Sequence, residues 1–429
     1  MKKLMMMLWL GAAAVCSGSE PVFDTCFADS TLRVDYIFGA NPDGGRSVLL
    51  AGMSRQDGWA GRRHNLDKLP LLGNGVVTMT DAESGDTLYR TSFSSLYHEW
   101  LSTDEANTTA KGFEHTVLLP FPRKMADVSI EILDMRHDIM ASMTHRVSPD
   151  DILIALKGHN ARVPYRYIHK GDDPKKAIDV AILAEGYRTE EMDSFYRHAE
   201  VAVDAMFTHE PFKSHKSDFN FVAVATPSED SDVSVPRLGE WRRTAFSSHF
   251  STFYSDRYLT SLHIKDIHDA LAGIPYEHII ILANTPEYGG GGIYNSYTLT
   301  SACHKNFRPV VVHEFGHSFG GLADEYFYEG DVMDDSYPKD VEPWEPNITT
   351  MVDFGSKWQD ALPDGVPVPT PVAQKDRWPL GVYEGGGYSF KGIYRPADDC
   401  RMRTNTAEEF CPACVNALEK LINFYVGDK

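Results

Sequence analysis

Two histidines and a glutamate in the stretch VVVHEFGHSFGGLADEY, residues 310–326, have the spacing of a metal-dependent hydrolase site. His313 and His317 are four residues apart, so on a helix both imidazoles project from one face and can reach the same ion. Glu314 then stands beside the ion, where its carboxylate can take a proton from a metal-activated water and pass it to a leaving amine. An ordinary charged helix face is the alternative, but the three valines before the motif and the two glycines after it favour an enzyme with a zinc cofactor.

A catalytic zinc needs a third protein ligand, and two carboxylates downstream of the motif are candidates. Gly320 and Gly321 follow the second histidine, and glycine at a helix end lets the chain turn with positive φ. Such a turn can bring residues a short way downstream back to the metal. Asp324, seven residues after His317, is the predicted third ligand, and Glu325 is the competitor.

Strands and helices alternate along the part of the chain that contains the motif. Nearly continuous apolar runs are typical of strands covered on both faces, and they lie at 177–187, 219–226 and 277–285. Residues 190–207 repeat apolar side chains at spacings of three and four, which indicates a helix, and residues 255–271 suggest another. This alternation predicts an α/β domain with a largely parallel sheet.

Four consecutive glycines stand in the segment YGGGGIYNSYTLTSA, residues 288–302, ahead of the motif. No helix with the spacing GxGxxG follows them, so they do not match a dinucleotide-binding fingerprint. They fit a mobile loop that enters an edge strand, and such an edge can pair with an extended peptide substrate through its main chain. A flexible hairpin without a role in substrate binding is the alternative.

The region before this α/β part has a different pattern of apolar and turn residues. Short apolar or alternating runs broken by turn residues occupy about 30–155, and several short strands at this spacing predict an all-β, sandwich-like domain. The region contains no group of catalytic residues. We therefore predict an N-terminal β-sandwich accessory domain at 20–160 and a catalytic domain at 170–429.

Residues 1–19 have the features of a bacterial secretory signal peptide. Lys2 and Lys3 precede an apolar run at 4–15 and then small residues, so we expect cleavage near 17–19 and an exported protein. Lipidation of Cys16 is the lesser alternative. The later chain has no stretch of ~18 apolar residues that would span a membrane, and the net charge of −20 argues against nucleic acid or an anionic membrane as partner.

The cysteines are also compatible with an exported protein. Loss of Cys16 with the signal peptide leaves an odd number of thiols, so at least one is unpaired. Cys411 and Cys414 form a CPAC pair, but the sequence has no second CxxC to complete a four-sulfur zinc site. We therefore predict that Cys400 forms a disulfide with Cys411 or Cys414.

Four segments together resemble the IgA-peptidase family of bacterial metallopeptidases: HEFGHSFGGLADEY, the preceding GGGGIYN, FEHTVLLPFP in the first domain and the late CRMR. The resemblance spans most of the chain after the signal peptide. It implies a metzincin-like catalytic domain, a zinc cofactor and a β-rich N-terminal domain. By position it implies His313, His317 and Asp324 as metal ligands and Glu314 as the base.

One feature of the motif departs from the metzincin pattern. That pattern has a glycine three residues after the second histidine, which is Gly320 here, and a ligand three residues further on, which is Ala323 and cannot bind metal. Either the turn includes one more residue and uses Gly321, or Glu325 reaches the metal instead. The resemblance also assigns Met402, in DDCRMRTN, to the Met-turn that lies beneath a metzincin zinc site.

These features predict an exported zinc-dependent endopeptidase that acts on protein or peptide substrates, including host proteins such as immunoglobulins. One alternative is a non-catalytic surface or glycan-binding protein that retains a zinc site, but such a protein would not need an intact Glu314. Another is a peptidoglycan amidase, which the N-terminal β-sandwich does not support. Family resemblance does not by itself establish a substrate.

Overall fold

The structure is a computed structural model that describes residues 20–159, 163–173, 175–327 and 337–427. The predicted signal peptide, and Cys16 within it, lie outside the described residues. Within these ranges, every helix is too short or too polar to cross a membrane.

Two four-stranded sheets form the N-terminal part of the chain. Their strands and two short helices are, in chain order, α1 (Phe23–Cys26), β1 (Phe27–Ala40), β2 (Arg46–Asp57), β3 (Gly75–Asp81), β4 (Thr87–Phe93), α2 (Leu96–Leu101), β5 (Lys111–Pro122), β6 (Ala126–Leu133), β7 (Ile139–Val147) and β8 (Ala155–Leu156). One sheet has the order β5-β1-β2-β8 and the other the order β4-β3-β6-β7. The N-terminal β domain expected from the sequence is confirmed.

The two N-terminal sheets share one apolar core because alternate residues of each strand point inward. Val34 and Tyr36 of β1 are fully buried in the same cluster as Val77 of β3 and Ile130 of β6. Val77 and Ile130 are also direct partners in the antiparallel pairing of β3 with β6. Cross-strand pairs of this kind stabilise a sheet by packing apolar side chains side by side.

A six-stranded sheet and the longer helices form the second part. Its elements are β9 (Tyr165–His169), β10 (Ile178–Glu185), α3 (Met192–Met206), β11 (Phe219–Val224), α4 (Ile264–Ala270), β12 (His278–Ala283), β13 (Gly290–Ile293), β14 (Tyr297–Ser301), α5 (Phe307–Ser318), β15 (Tyr383–Gly386), β16 (Ser389–Arg395) and α6 (Pro412–Val426). The sheet order is β13-β14-β12-β10-β11-β9. The four inner strands are parallel, and the two edge strands are antiparallel to their neighbours. Strand β9 falls between the predicted domains at 20–160 and 170–429, and it pairs with β11 of this sheet.

The apolar runs of the inner strands are continuous because the sheet is covered on both faces. Val180 and Ile182 of β10 lie in a core cluster formed with α3, α5 and α6. Ala181 and Leu183 point the other way and lie in the same cluster as the N-terminal sheets. This second face of the sheet is therefore covered by α4, by the segment before α4 and by the N-terminal sheets, which share one core.

The helix predicted at 255–271 is wrong in its first half. Only α4, from Ile264, is helical, and two residues of the preceding part form isolated β-bridges with other segments. Thr260 forms an antiparallel bridge with His249, and Tyr258 forms a parallel bridge with Gly290. Backbone pairing with neighbouring segments has thus outweighed local helical preference, as tertiary context commonly does.

Two buried histidines predict that the protein loses stability in acid. Burial lowers the pKa of His115 from near 6.5 to about 3, with a smaller contribution from His98, and burial lowers the pKa of His278 to about 3. The folded pKa of each histidine is lower than its unfolded pKa of about 6.5, so the unfolded chain binds the proton first as pH falls. The free energy of unfolding is therefore unaffected by these histidines above pH 6.5 and decreases below it. At pH 5, about 1.5 units below 6.5, each histidine should lower the free energy of unfolding by about 2 kcal/mol.

The variant His115→Leu tests this expectation. The imidazole packs against both Phe38 and Phe93, with ring centroids 4.9 and 4.0 Å away, so leucine retains apolar packing and removes the titrating group. Urea unfolding at pH 7 and at pH 5 should show a loss of stability on acidification that is about 2 kcal/mol smaller in the variant. An equal loss in both proteins would show that His115 does not titrate in this range.

Candidate active site

Three predicted residues meet at the end of helix α5. The helix carries His313 and His317 one turn apart, and their Nε2 atoms are 3.1 Å from each other. The Oδ1 atom of Asp324 lies 3.1 Å from His313 Nε2 and 3.2 Å from His317 Nε2. The structure therefore brings together two imidazoles and one carboxylate around a single point.

The chain returns to the histidines through a turn after α5. Helix α5 ends at Ser318, and Gly321 adopts a positive φ of 58°, a conformation that favours glycine. Asn347 then holds the next residues, since its Oδ1 accepts a hydrogen bond from Ala323 N at 2.7 Å and its Nδ2 donates to Ala323 O at 2.9 Å. The turn includes one residue more than the metzincin spacing, and it places Asp324 at the site.

The hydrogen bonds of the histidines leave lone pairs directed at the centre of the site. His313 Nδ1 lies 2.9 Å from the carbonyl oxygen of Arg401, and His317 Nδ1 lies 2.5 Å from that of Leu322. A carbonyl oxygen only accepts, so each Nδ1 carries a proton and each neutral ring has an unprotonated Nε2. When both rings are neutral, these two nitrogens and the Asp324 carboxylate therefore direct electron pairs at one point, which a proton or a cation can occupy.

The electrostatics of the site favour an added positive charge. Burial alone would lower the pKa of His317, but the Asp324 carboxylate outweighs burial and raises that pKa to about 9. Burial alone would likewise raise the pKa of Asp324, but the two imidazoles hold it well below its usual range. A divalent cation bound between the three groups would satisfy all of them at once.

The spacing of the three donor atoms fits zinc. Bonds of about 2.0–2.1 Å in tetrahedral geometry place donor atoms about 3.3 Å apart. The observed separations are 3.1 to 3.2 Å. Two histidine nitrogens and one carboxylate oxygen are also a donor set that leaves one position open in a catalytic zinc site.

Glu314 lies beside His313 and His317 and against the edge strand β13. A Cβ atom added to Gly290 would lie 2.6 Å from Glu314 Oε1, so the carboxylate occupies the space that a side chain would take. Burial raises the pKa of Glu314, while His313 and His317 oppose that change. A carboxylate with a raised pKa next to a metal-binding group is suited to accept a proton near neutral pH.

Close packing requires glycine at several positions of the run. The prediction of a mobile loop is wrong for the glycines that lie in strand β13. Gly290 and Gly292 belong to β13, and a Cβ at Gly292 would lie 2.2 Å from Glu314 O and 2.8 Å from His317 Cβ. The prediction of an edge strand is confirmed. Part of that edge is already covered, because Leu259 N donates to Gly290 O at 3.4 Å, which limits pairing of a substrate backbone there.

We expect Gly292→Ala to lower activity by about 100-fold, because a shift of about 1 Å in a catalytic group can have an effect of this size. The added Cβ would meet the backbone oxygen of Glu314, which a side-chain rotation cannot move away. Gly52→Ala in β2 is the matched control, since a Cβ there meets no atom within 4 Å. Rates of peptide hydrolysis for the two variants measure the effect, and equal rates would show that α5 tolerates the displacement.

Two tyrosines that the sequence did not single out complete the surroundings of Asp324. Tyr388 OH donates to Asp324 Oδ2, and it lies 3.3 Å from Tyr326 OH. The turn between β15 and β16 delivers Tyr388, since Gly387 N donates to Asp324 O at 2.8 Å. Tyr326 is the last residue of the segment 310–326, so the sequence could have indicated it. Tyr388 is 64 residues from Asp324, and no local pattern marks it.

The N-terminal domain also reaches the neighbourhood of the site. Tyr258, which bridges to the edge strand at Gly290, donates a hydrogen bond to Glu99 Oε2 at 2.5 Å. Asn295, at the other end of β13, donates to Ser92 O at 2.8 Å. The predicted accessory domain therefore supports the edge strand against which Glu314 packs.

Glu325 and Met402 lie on the inner side of the site. Glu325 is fully buried and faces away from the histidines, with its Oε1 accepting from Asn347 Nδ2 at 2.9 Å. Its backbone N donates to Met402 O at 2.9 Å. Met402 is fully buried beneath α5, where a Cβ on Gly316 would come within 2.7 Å of its sulfur. The competitor for the third ligand position is thus directed elsewhere.

The predicted disulfide is absent. Cys400, Cys411 and Cys414 are free thiols, and the sulfurs of Cys400 and Cys414 are 3.8 Å apart. A disulfide requires about 2.05 Å. The three thiols do lie together, as expected for residues near Met402 and α6, and their sulfurs are within 4.8 Å of a Glu325 carboxylate oxygen.

Comparison with protein-family models identifies the family of this chain. The family model described as IgA Peptidase M64 matches residues 167–379 and 374–422, and the model described as Peptidase M64 N-terminus matches residues 22–144. The chain is therefore a peptidase, a hydrolase of peptide bonds. It belongs to the IgA peptidase M64 family, as the motifs indicated. No curated protein matches the chain.

Proposed function

We propose that the chain is an exported zinc-dependent endopeptidase in which His313, His317 and Asp324 bind the metal and Glu314 is the general base. The observation that carries this proposal is the convergence of three electron-pair donors within 3.1 to 3.2 Å of one another. Such an arrangement is repulsive without a proton or a cation between the donors. The donor set and its spacing fit Zn²⁺.

Each residue has a defined role in hydrolysis. A bound zinc ion supplies Lewis-acid activation of a water molecule and of the peptide carbonyl. Glu314 accepts the proton of the attacking water as the new C–O bond forms, and it delivers that proton to the amine as the C–N bond breaks. The carbonyl oxygens of Arg401 and Leu322 hold the Nδ1 protons, which keeps both Nε2 atoms available to the metal.

Tyr388 positions the third ligand in this proposal. Its hydroxyl binds Asp324 Oδ2, which leaves Oδ1 directed at the two imidazoles. A ligand that is oriented by a hydrogen bond to its other oxygen loses less freedom when metal binds. Tyr326, within 3.3 Å of Tyr388, extends this arrangement.

We assign the catalytic part, residues 170–429, to a metzincin-like class and residues 20–160 to the accessory β-sandwich domain. Support for the class comes from Met402, which is buried under α5 at Gly316 as a Met-turn residue would be. The preceding Arg401 carbonyl orients His313. The Met402 segment thus forms the floor of the metal site.

The substrates in this proposal are exported or host proteins, with immunoglobulins as the first to test. The family description names IgA, and residues 1–19 have the sequence of a secretory signal peptide. An exported peptidase meets extracellular proteins first. The net charge of −20 makes long polyanionic substrates unsuitable.

The test is cleavage of a diverse peptide and protein library, including IgA, by the purified protein. We expect internal peptide bonds to be cut, activity to be lost when a zinc chelator removes the metal, and Zn²⁺ to restore it. Calcium added after chelation is the matched control and should restore nothing, because a site of two imidazoles and one carboxylate disfavours it. Full activity in metal-free protein would contradict the proposal, as would the absence of any cleavage by zinc-loaded protein.

A further inference from the structure

A second group of metal-binding side chains lies in the core that α5 and α6 share. Cys400, Cys411, Cys414 and Glu325 each offer one donor atom, and these four atoms all lie within 4.8 Å of one another. All four residues are buried, with at most 5% of any of them exposed. None of them has a role in the hydrolysis proposed above.

The separation of the sulfurs agrees with a tetrahedral zinc site. Zinc–sulfur bonds of about 2.3 Å place two thiolates about 3.8 Å apart. The Sγ atoms of Cys400 and Cys414 are 3.8 Å apart. Cys411 and Cys414 form a CxxC pair across the start of α6, which is a common spacing in structural zinc sites. The sequence lacked a second CxxC, but Glu325 supplies the fourth donor.

The Glu325 carboxylate is incompletely satisfied. Its Oε1 accepts hydrogen bonds from Asn347 Nδ2 at 2.9 Å and from Cys414 Sγ at 3.1 Å. Its Oε2 is buried and has no hydrogen-bond partner in the part of the chain that the structure describes. A buried ionised carboxylate with an unpartnered oxygen is costly unless a cation lies close to it or the group takes up a proton.

Several groups near the sulfurs can stabilise thiolates once a metal has displaced the thiol protons. Two backbone amides point at Cys400 Sγ, from Cys411 N at 3.2 Å and from Met402 N at 3.5 Å. The site also adjoins the N-terminus of the 15-residue helix α6, for which Cys411 is the N-cap. Arg395, almost fully buried, adds a positive charge that acts on Glu325. These groups and the metal ion together would offset most of the negative charge of three thiolates and one carboxylate.

A disulfide explains this arrangement less well than a metal does. One disulfide would join two of the three sulfurs and leave the third thiol and the Glu325 carboxylate buried without a function. It would also require two sulfurs to approach to about 2.05 Å. A single cation would use all four donors, which already lie within 4.8 Å of one another.

We propose that Cys400, Cys411, Cys414 and Glu325 bind a second zinc ion, which is structural. Thiolates select zinc over calcium and magnesium, and four protein ligands leave no open coordination position for a substrate. Zinc binding would displace the thiol protons. This inference is independent of the proposed peptidase mechanism, because it concerns different side chains.

The second ion would connect the segments that shape the catalytic site. Glu325 directly follows Asp324 in the chain, and Cys400 directly precedes Arg401, whose carbonyl orients His313. Cys411 and Cys414 attach both segments to α6. Loss of the ion should therefore loosen the floor of the catalytic site while leaving its ligands chemically intact.

Cobalt substitution of the metal-free full-length protein tests the proposal without any measurement of activity. Co²⁺ bound to thiolate gives a strong sulfur-to-metal charge-transfer band in the near ultraviolet, whereas the site of His313, His317 and Asp324 contains no sulfur. We expect the band in the wild type and in the double variant His313→Ala/His317→Ala, and we expect Cys411→Ser/Cys414→Ser to lack it. Cys303→Ser, which changes an exposed thiol, is the matched control and should retain the band.

Metal content gives the second readout. The wild type should bind about two equivalents of zinc, and His313→Ala/His317→Ala should keep about one. If Cys411→Ser/Cys414→Ser fails to fold, the band in the wild type and in the Cys303→Ser control still decides the question. The proposal is overturned if cobalt-loaded folded wild type lacks the band, or if mass mapping of the non-reduced protein finds a disulfide within the cluster.

Discussion

The variant Glu314→Gln should retain its zinc and its fold while peptide hydrolysis falls by at least ~100-fold, because a positioned general base commonly contributes about 10² to 10⁴ in rate. Glutamine preserves the shape and the contact with the edge strand at Gly290, and it removes only the proton acceptor. Hydrolysis rates on a peptide identified from the library, together with metal analysis of the same preparation, measure the effect.

A matched control separates chemistry from general damage. Glu287→Gln changes a half-exposed glutamate that forms an ion pair with Arg237, and it should leave the hydrolysis rate unchanged. Near-normal activity of Glu314→Gln with full metal content would reject Glu314 as the base. Reduced metal content in that variant would instead indicate that Glu314 helps to bind the ion.

The variant Asp324→Ala should lose the catalytic zinc and nearly all activity, at least ~100-fold, since only two protein ligands would remain where a catalytic zinc needs three. Its Oδ1 is the atom that approaches both imidazoles, at 3.1 and 3.2 Å. Metal analysis and hydrolysis rates should fall together. The cobalt–sulfur band of the cysteine cluster should remain, because Asp324 does not contribute to that cluster.

Glu325→Gln is the informative comparison for Asp324→Ala. It alters the neighbouring carboxylate, which faces Asn347 and the cysteines, and it should change the cobalt–sulfur band. Activity should decline by no more than ~10 to ~100-fold, the range for residues that orient a metal ligand. The assignment of the third ligand is wrong if Asp324→Ala stays active while Glu325→Gln loses the catalytic zinc.

The sequence predicted the parts of the site that depend on local spacing. The helical separation of His313 and His317 follows from the helix period, and the turn at Gly321 follows from the conformational freedom of glycine. The same applies to the inner strands of the parallel sheet, since the apolar runs at 219–226 and 277–285 contain β11 and β12. In each of these cases a short segment contains all the physical information required.

Contacts between distant segments could not be read in the same way. Tyr388 reaches Asp324 across 64 residues, and Cys414 reaches Glu325 across 89. The CPAC pair therefore looked incomplete as a metal site, because its fourth donor lies next to the catalytic motif. The disulfide prediction failed for a related reason, since closeness in sequence does not fix the distance between two sulfurs, which is 3.8 Å for Cys400 and Cys414.

The glycine run shows a third reason why the sequence did not predict part of the structure. Glycine in sequence indicates either a need for flexibility or a need for space, and the sequence alone favoured flexibility at 288–302. The structure shows that space decides here, because α5 packs directly on β13 at Gly292. The residue that requires the space, Glu314, is the one with the proposed catalytic role.

The most direct measurement is an anomalous-difference map at the zinc absorption edge from crystals of the zinc-loaded protein. The proposed mechanism predicts a peak about 2.0–2.2 Å from each of His313 Nε2, His317 Nε2 and Asp324 Oδ1, with Glu314 beside it and not bonded to it. A zinc-loaded crystal with no peak between these three atoms, or with a peak bound by Glu325 in place of Asp324, would contradict the account.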